Sequence, residues 1–442
     1  MRTLHDSNIA PRSRTAGLVA AVAAAVLIAA CGQDADPPKA DSGRSTTTSG
    51  RSTTTEATLV TAPAADRIDR DKPTFSDPTA ITNPLFPISD LTQVVQLGID
   101  EGEPLRVEAT LLPQTKSITW EGTEIETVVS QFIAYLDGRV AETTLDYFAQ
   151  ADDGSVWYFG EDVTNYEDGA VKDNEGTWLA GVDGPPGMIM PADPQVGDVY
   201  RPENIPDLVF EEVTVKAVDT TVEGPQGSLT GAITIQELLM DGTTEDKSFA
   251  PGYGEFSAHT DTEDIVVALG VPLDAVEEPT PAELTTISAG ATEVLADPDG
   301  AAAALETIRT AAEAYQGPEV LTMALTDAVD ALGSAVDAGE GVEAAAIVVE
   351  QAALDLRARH EPVADIDAGR MAAWAAQAKI DAEADEAGGV ASDLVALDTI
   401  AERIEDLPAE VTGLLDDLHT AVDADELATA SSAAEALRAA LV

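Results

Sequence analysis

Between residues 81 and 270 short β-branched or aromatic runs alternate with turns rich in Gly and Asp. This is the period-two signature of antiparallel strands. The strand candidates are 106–112, 124–136, 140–150, 156–160, 210–218, 229–239 and 265–269. Asp137-Gly138, Asp153-Gly154, Asp168-Gly169 and Asp241-Gly242 mark hairpins, because both residue types tolerate the positive φ of a type I′ turn. Strands following one another through such turns form a meander, so 76–270 is expected to be a curved sheet or partial barrel, with a sandwich as the alternative.

After an acidic, Pro-containing linker at 271–279 the apolar spacing becomes that of helices, and the composition shifts to Ala, Leu, Asp and Glu. Thr280-Pro281-Ala282-Glu283 reads as a helix start, with Thr280 as N-cap, Pro281 at the first helical position and Glu283 closing a capping box. Breaks at 297–300, 337–341, 385–389 and 423–426 each divide two Ala-rich periodic runs. Pro318, Pro362 and Pro408 separate these pairs, since a helix does not readily continue through proline. Four helical hairpins are therefore predicted over 280–442. Residues 329–338 match 415–424 at the same helix-to-turn position, and the irregular repeat length favours a bundle of duplicated hairpins over a solenoid. The predicted fold is α+β and multidomain: an antiparallel β meander followed by an all-α helical-hairpin bundle.

The first 75 residues fit neither pattern. Arg2, Arg12 and Arg14 form a basic start, and 16–30 is an uncharged apolar run, so 1–30 reads as a signal peptide. The run is shorter than the roughly twenty residues that span a bilayer, and a retained membrane helix is the alternative. Ile28-Ala29-Ala30-Cys31 resembles the lipobox of bacterial lipoproteins, an aliphatic residue and two small ones before a cysteine whose sulfur is alkylated. Stable anchoring at about 0.8 kcal/mol per buried methylene requires more than one acyl chain. Residues 31–75 then read as a lipidated, disordered tether, rich in Asp, Pro, Ser, Thr and Gly, in which the GRSTTT segment at 43–48 recurs at 50–55. Its reach is roughly 35 to 40 Å. The expected location is the cell membrane, lipid-anchored and facing the extracytoplasmic side.

Charge and cysteine content narrow the chemistry. The 81 acidic residues against 23 basic ones give a formal net charge of -58, which disfavours nucleic acid and anionic lipid headgroups as partners. Cys31 is the sole cysteine, so the folded domains hold no disulfide framework and no thiolate metal site. From 280 to 442 there are 33 acids and 7 bases, as expected of helices with acidic outer faces.

Four segments carry a resemblance: Ile81-Thr82-Asn83-Pro84-Leu85-Phe86-Pro87; Trp157-Tyr158-Phe159-Gly160-Glu161-Asp162; Trp178 to Gly184 with Pro186 to Ala192; and Ala250-Pro251-Gly252-Tyr253-Gly254. Together they resemble a family of uncharacterised exported bacterial β proteins over most of 81–260. The resemblance implies export and a β fold and brings no activity with it. Gln93 to Gly98 departs from the pattern in lacking a Trp-Tyr pair in the first strand.

Trp157, Tyr158 and Trp178 offer stacking surface and Glu161, Asp162 and Asp183 offer acceptors, so these six are the candidate ligand-binding residues; the competing reading places the aromatics in the core. Paired carboxylates also raise a hydrolase reading, in which their separation would set the mechanism. Asp183-Gly184-Pro185-Pro186-Gly187 lacks the Lys and following helix of a phosphate cradle and reads as a turn. In the helical half, Arg357, Arg359, His360, Glu361, Asp365, Asp367 and Arg370 cluster near a turn, where capping and ion pairing are the main expectation. His360 and His419 are the candidates for a metal across the bundle, although no Glu-x-x-His pair supports them. No catalytic residue and no cofactor is nominated, and His259 stands alone. The leading expectation is a non-enzymatic envelope lipoprotein, attached to the membrane through Cys31, that binds or scaffolds an envelope ligand or protein. Cation or metal handling by the acidic helical domain and hydrolysis by paired carboxylates are the alternatives.

Overall fold

The computed structural model describes residues 59–442; the expected signal peptide, Cys31 and the expected tether as far as residue 58 lie outside the described residues. The chain first forms a meander of β1 (Gln93–Asp100), β2 (Glu103–Trp120), β3 (Thr123–Leu136), β4 (Arg139–Gln150), β5 (Val156–Glu167) and β6 (Ala170–Asp173). The short β7 (Trp178–Leu179) and β8 (Gly187–Met190) both pair with β5. A second meander follows: β9 (Val199–Ile205), β10 (Val209–Gly224), β11 (Gly227–Leu239), β12 (Thr244–Ala250), β13 (Gly254–His259) and β14 (Glu263–Val271). The two join where β1 pairs antiparallel with β14, from Gln93 opposite Val271 to Asp100 opposite Glu263. The result is one curved antiparallel sheet, running from β6 to β9, that ladder hydrogen bonds do not close into a barrel.

Turn chemistry explains much of this order. Asp137-Gly138 and Asp168-Gly169 hold positive φ at both residues, as type I′ turns require, and so do Glu101-Gly102 and Glu121-Gly122. At Asp153-Gly154 and Asp241-Gly242 only the glycine does, so those connections are hairpins of another turn type. Where the two ends of the curved sheet approach each other, β8 lies against β9. Gly187 permits this, because a Cβ there would lie 1.8 Å from the Pro202 carbonyl oxygen. Gly187→Ala is therefore expected to prise β8 from β9 and destabilise the protein by about 1–3 kcal/mol, the range for overpacking a filled site; a urea midpoint equal to that of the parent would refute this.

Eight helices follow: α1 (Ala282–Ala296), α2 (Ala301–Ala314), α3 (Glu319–Ala338), α4 (Val342–Arg357), α5 (Val363–Glu383), α6 (Ala387–Ala401), α7 (Ala409–Asp423) and α8 (Leu427–Leu441). Pro281, Pro318, Pro362 and Pro408 are the N-caps of α1, α3, α5 and α7, each with ψ between 137° and 141°. The first of these corrects the expected capping box. Proline's own extended conformation opens the helix, its carbonyl accepting from Leu284 and Thr285, while the Thr280 hydroxyl donates to Glu361 at 2.8 Å. Helix α1 packs on α2 and α4, and α3 on α2 and α4; α5 packs on α6 and α8, and α7 on α6 and α8. The helical part is thus two four-helix units joined along α4 and α5. The repeated segments 329–338 and 415–424 end the third helix of each unit, in line with a duplication of the whole four-helix unit.

Strand alternation gives the sheet two buried faces. Toward the first helical unit it sends Val95, Leu269 and Val271, which pack with Leu284, Ile287 and Leu356. Toward the second it sends Ile133, Tyr135 and Val140, and Tyr135 stacks on Trp374 with centroids 5.1 Å apart. Between these apolar patches lies a buried ionic network. Arg106 binds Asp355 at 2.6 Å and Glu108 at 2.8 Å, Arg403 binds Glu108 at 2.6 Å, and Arg370 binds Asp355 at 2.9 Å and Asp367 at 3.0 Å. Burial would raise the Glu108 pKa, but Arg370, Arg106 and Arg403 hold it well below the usual carboxylate range.

Two segments expected to be free of the folded body are in contact with it. In 59–75, the Ile68 N–H donates to the Val199 carbonyl, Asp69 accepts from the Arg201 N–H at 3.0 Å, and Phe75 packs edge-on against Phe159. Polar residues carry most of this docking, which is why a reading by hydrophobicity assigns the segment to the tether. In 271–279, Asp274 is buried and accepts from Tyr253 and from the Gly270 N–H, each at 2.7 Å, while the Val276 N–H donates to the Arg359 carbonyl.

Candidate functional site

The six residues singled out as a ligand surface do not share one face of the sheet. Trp157, Tyr158, Glu161 and Trp178 are buried, whereas Asp162 and Asp183 are exposed. Alternation along β5 is the cause, since Glu161 and its neighbour Asp162 must point to opposite sides. The polar tips of the three buried aromatics are matched within the fold, Trp157 Nε1 donating to Ser155 Oγ at 2.8 Å, Tyr158 to Asp146 at 2.7 Å, and Trp178 Nε1 to Glu203 Oε1 at 2.7 Å, whereas both carboxyl oxygens of Glu161 are buried without a hydrogen-bond partner among the described residues. Outside, Asp162 meets Lys116 at 3.1 Å and the Tyr147 hydroxyl, and Asp183 accepts the Leu179 N–H at 2.9 Å within its turn. These residues therefore do not converge on one pocket.

The inner face of the sheet instead carries a seam of buried carboxyl groups. Asp146 stands across from Glu161 on β4 and β5, and Glu203 across from Glu211 on β9 and β10. Burial pushes Glu142 up to about 8 and Asp146 up to about 7. Burial, followed by the charge of neighbouring Glu203, raises Glu161 well above its ordinary value, and burial brings Glu203 itself to about 7. Lys247, fully buried on β12, sits 3.0 Å from Glu237, 3.4 Å from Glu255 and 3.5 Å from Glu245. Burial alone would lower the Lys247 pKa, but these carboxylates hold it well above normal. The hydrolase reading would look to Glu161 and Glu203, yet these are 0% and 2% exposed, and a sugar ring has no approach to them.

A cavity of about 80 Å³ opens on the same inner face. Phe86, Ile88 and Leu91 cover it, and Val94, Leu111, Phe132, Phe148 and Tyr253 supply its apolar wall. Its polar lining comes from Thr92, Gln96, Ser130, Asp146 and Glu255. The cover is held in place by Asn83, whose side-chain amide donates to the Gly154 and Pro191 carbonyls at 3.0 Å each, and by Phe86 packing edge-on against Phe148. An apolar concavity with a few convergent polar groups is the usual form of a ligand site. Sequence reasoning missed it because its walls come from strands far apart in the chain; the one local signal was Asp146, an acid at an inward position between Leu145 and Tyr147.

The two histidines lie apart in the fold. His360 follows α4 and its Nδ1 is 3.0 Å from the Glu278 carbonyl, whereas His419 on α7 has Nε2 2.8 Å from Asp398. The charged turn around His360 is engaged in ion pairs, Arg357 with Glu361 at 2.8 Å and Arg370 in the network above. Among the described residues no group of three or more His, Cys, Asp or Glu is placed to hold a metal ion, and no helix is long and apolar enough to cross a membrane. No family model, no curated protein and no solved structure matches the chain.

Proposed function

We propose that this protein is an extracytoplasmic lipoprotein, attached to the membrane through acyl chains on Cys31, that acts by binding and not by catalytic turnover. The observation that carries the binding role is the covered apolar cavity on the inner face of the sheet, set in a body braced from outside by two helical units. The lipobox-like Ile28-Ala29-Ala30-Cys31 and the apolar run before it support the location. In a bacterial host, the parent chain is expected to sediment with membranes and incorporate labelled palmitate. Cys31→Ser is expected to abolish the label and to release the chain or leave it as unprocessed precursor. Unchanged labelling and membrane attachment in Cys31→Ser would overturn the assignment of place, and turnover of a hydrolase substrate by the purified chain would overturn the assignment of mode.

A further inference from the structure

The cavity lies in a region of one-sided charge. Two acidic side chains, Asp146 and Glu255, take part in its lining, and no Lys, Arg or His does. Asp146 is 3% exposed and one of its oxygens accepts the Tyr158 hydroxyl. Lys247, a cation buried on this face of the sheet, is already surrounded by Glu237, Glu245 and Glu255. A ligand entering this space leaves water, so any charge it carries must be matched by the wall. An anion would meet carboxylates at short range, whereas an ammonium group would meet a compensating one, and Coulomb interactions are strong where water is excluded. The apolar walls suit a short hydrocarbon body. The volume sets the scale, being about half that of an engineered cavity of about 150 Å³ that admits benzene.

Resting on the reading of this cavity as the binding site, we propose that it takes a small alkylammonium ion, the hydrocarbon part against Phe86, Leu111 and Phe148 and the ammonium beside Asp146, and that it rejects carboxylates of the same length. The full chain is titrated calorimetrically at pH 8, above the value of about 7 to which burial pushes Asp146 and where an alkylammonium keeps its proton, with propylamine, propanol and propionate, three probes of equal chain length and different charge. The amine is expected to bind at least 10-fold more tightly than the alcohol, and propionate not to bind. Asp146→Asn is expected to weaken the amine at least 10-fold while leaving the alcohol within 2-fold, and Ala109→Leu, which fills the cavity, to abolish both. Should either variant fail to fold, the ranking of the three probes on the parent chain decides alone. Equal binding of the three probes, tighter binding of propionate, no binding of the amine, or an amine affinity unaffected by Asp146→Asn overturns the proposal. The assignment to the envelope stands or falls separately, on palmitate labelling and membrane attachment in Cys31→Ser.

Discussion

Arg370→Met is expected to destabilise the folded protein by about 3–5 kcal/mol, the range for removing one partner from a buried ion pair. Arg370 is 2% exposed and binds Asp355 at 2.9 Å and Asp367 at 3.0 Å, and it also donates to Gln93 on β1. It therefore ties α4, α5 and the sheet to one another. Methionine fills much of the same space but leaves the two aspartates short of a cation inside the protein. Proteins are stable by only about 5–15 kcal/mol in all, so the loss is large. It is read as the shift of the urea midpoint by circular dichroism. Fluorescence of Trp374, which stacks on Tyr135 in the same interface, reports whether helices and sheet separate. Arg309→Met is the contrast, because its pair with Glu306 at 3.4 Å is exposed and i,i+3 on a helix; less than about 0.5 kcal/mol is expected there. Equal effects of the two substitutions would show that the buried network does not brace the fold.

The second large effect is a stability that increases toward mildly acidic pH. Glu142 titrates in the fold at about 8, and Asp146, Glu203 and Glu263 at about 7, all raised first by burial. In the unfolded chain such groups titrate near 4. The folded state therefore binds protons more tightly, so the stability these groups contribute is fully present below about pH 4 and is lost as pH rises through 7 to 8. Glu108 and Glu361 act oppositely. Each is lowered by arginine partners, so its contribution is present above the unfolded value and lost only as pH falls below that value. Between pH 5 and pH 8 the raised groups dominate. Going from pH 8 to pH 5 is expected to add more than about 5 kcal/mol, at least about 10 °C in Tm. Scanning calorimetry at four pH values checks this, and Glu142→Gln should flatten the curve. A Tm that is flat or falls toward pH 5 would mean that the seam is ionised in the native protein.

The helical half was the more legible in the sequence. Breaks at 297–300, 337–341 and 423–426 fall between paired helices to within two residues, the break at 385–389 overlaps the first turn of α6, and each of the four prolines opens a helix, because proline and left-handed turn residues act through local backbone geometry alone. Among the strands, those read from alternation were found but read too short. β2 runs from Glu103 to Trp120 through polar residues at the exposed end; β9, β12 and β13 were missed, because acids and amides occupy inward positions where apolar residues are expected, and β6, β7 and β8 because they are too short to show a period. Glu101-Gly102 and Glu121-Gly122 escaped notice because the turn signal rests on Asp and Asn.

The site was the least legible part. Trp157, Tyr158 and Trp178 were chosen for their type, yet type does not separate an aromatic that packs in a core from one that receives a ligand. The carboxyl seam was hidden by composition, since among 81 acids nothing local marks the few that turn inward.

The sequence by itself determined the class of the longer elements, the division into a strand-rich and a helical part, and the helix boundaries to within a few residues, all of which follow from periodicity and backbone preference over a short stretch. Tertiary structure alone decided which residues face one another: that the helices form two four-helix units pressed against one face of the sheet, that Arg370 and Arg403 from distant helical segments join Arg106 in neutralising Glu108, and that the opposite face gathers acids around Lys247 beside a small apolar cavity. Burial and charge pairing are sums over neighbours brought together from across the chain, and for that reason they could not be read along it.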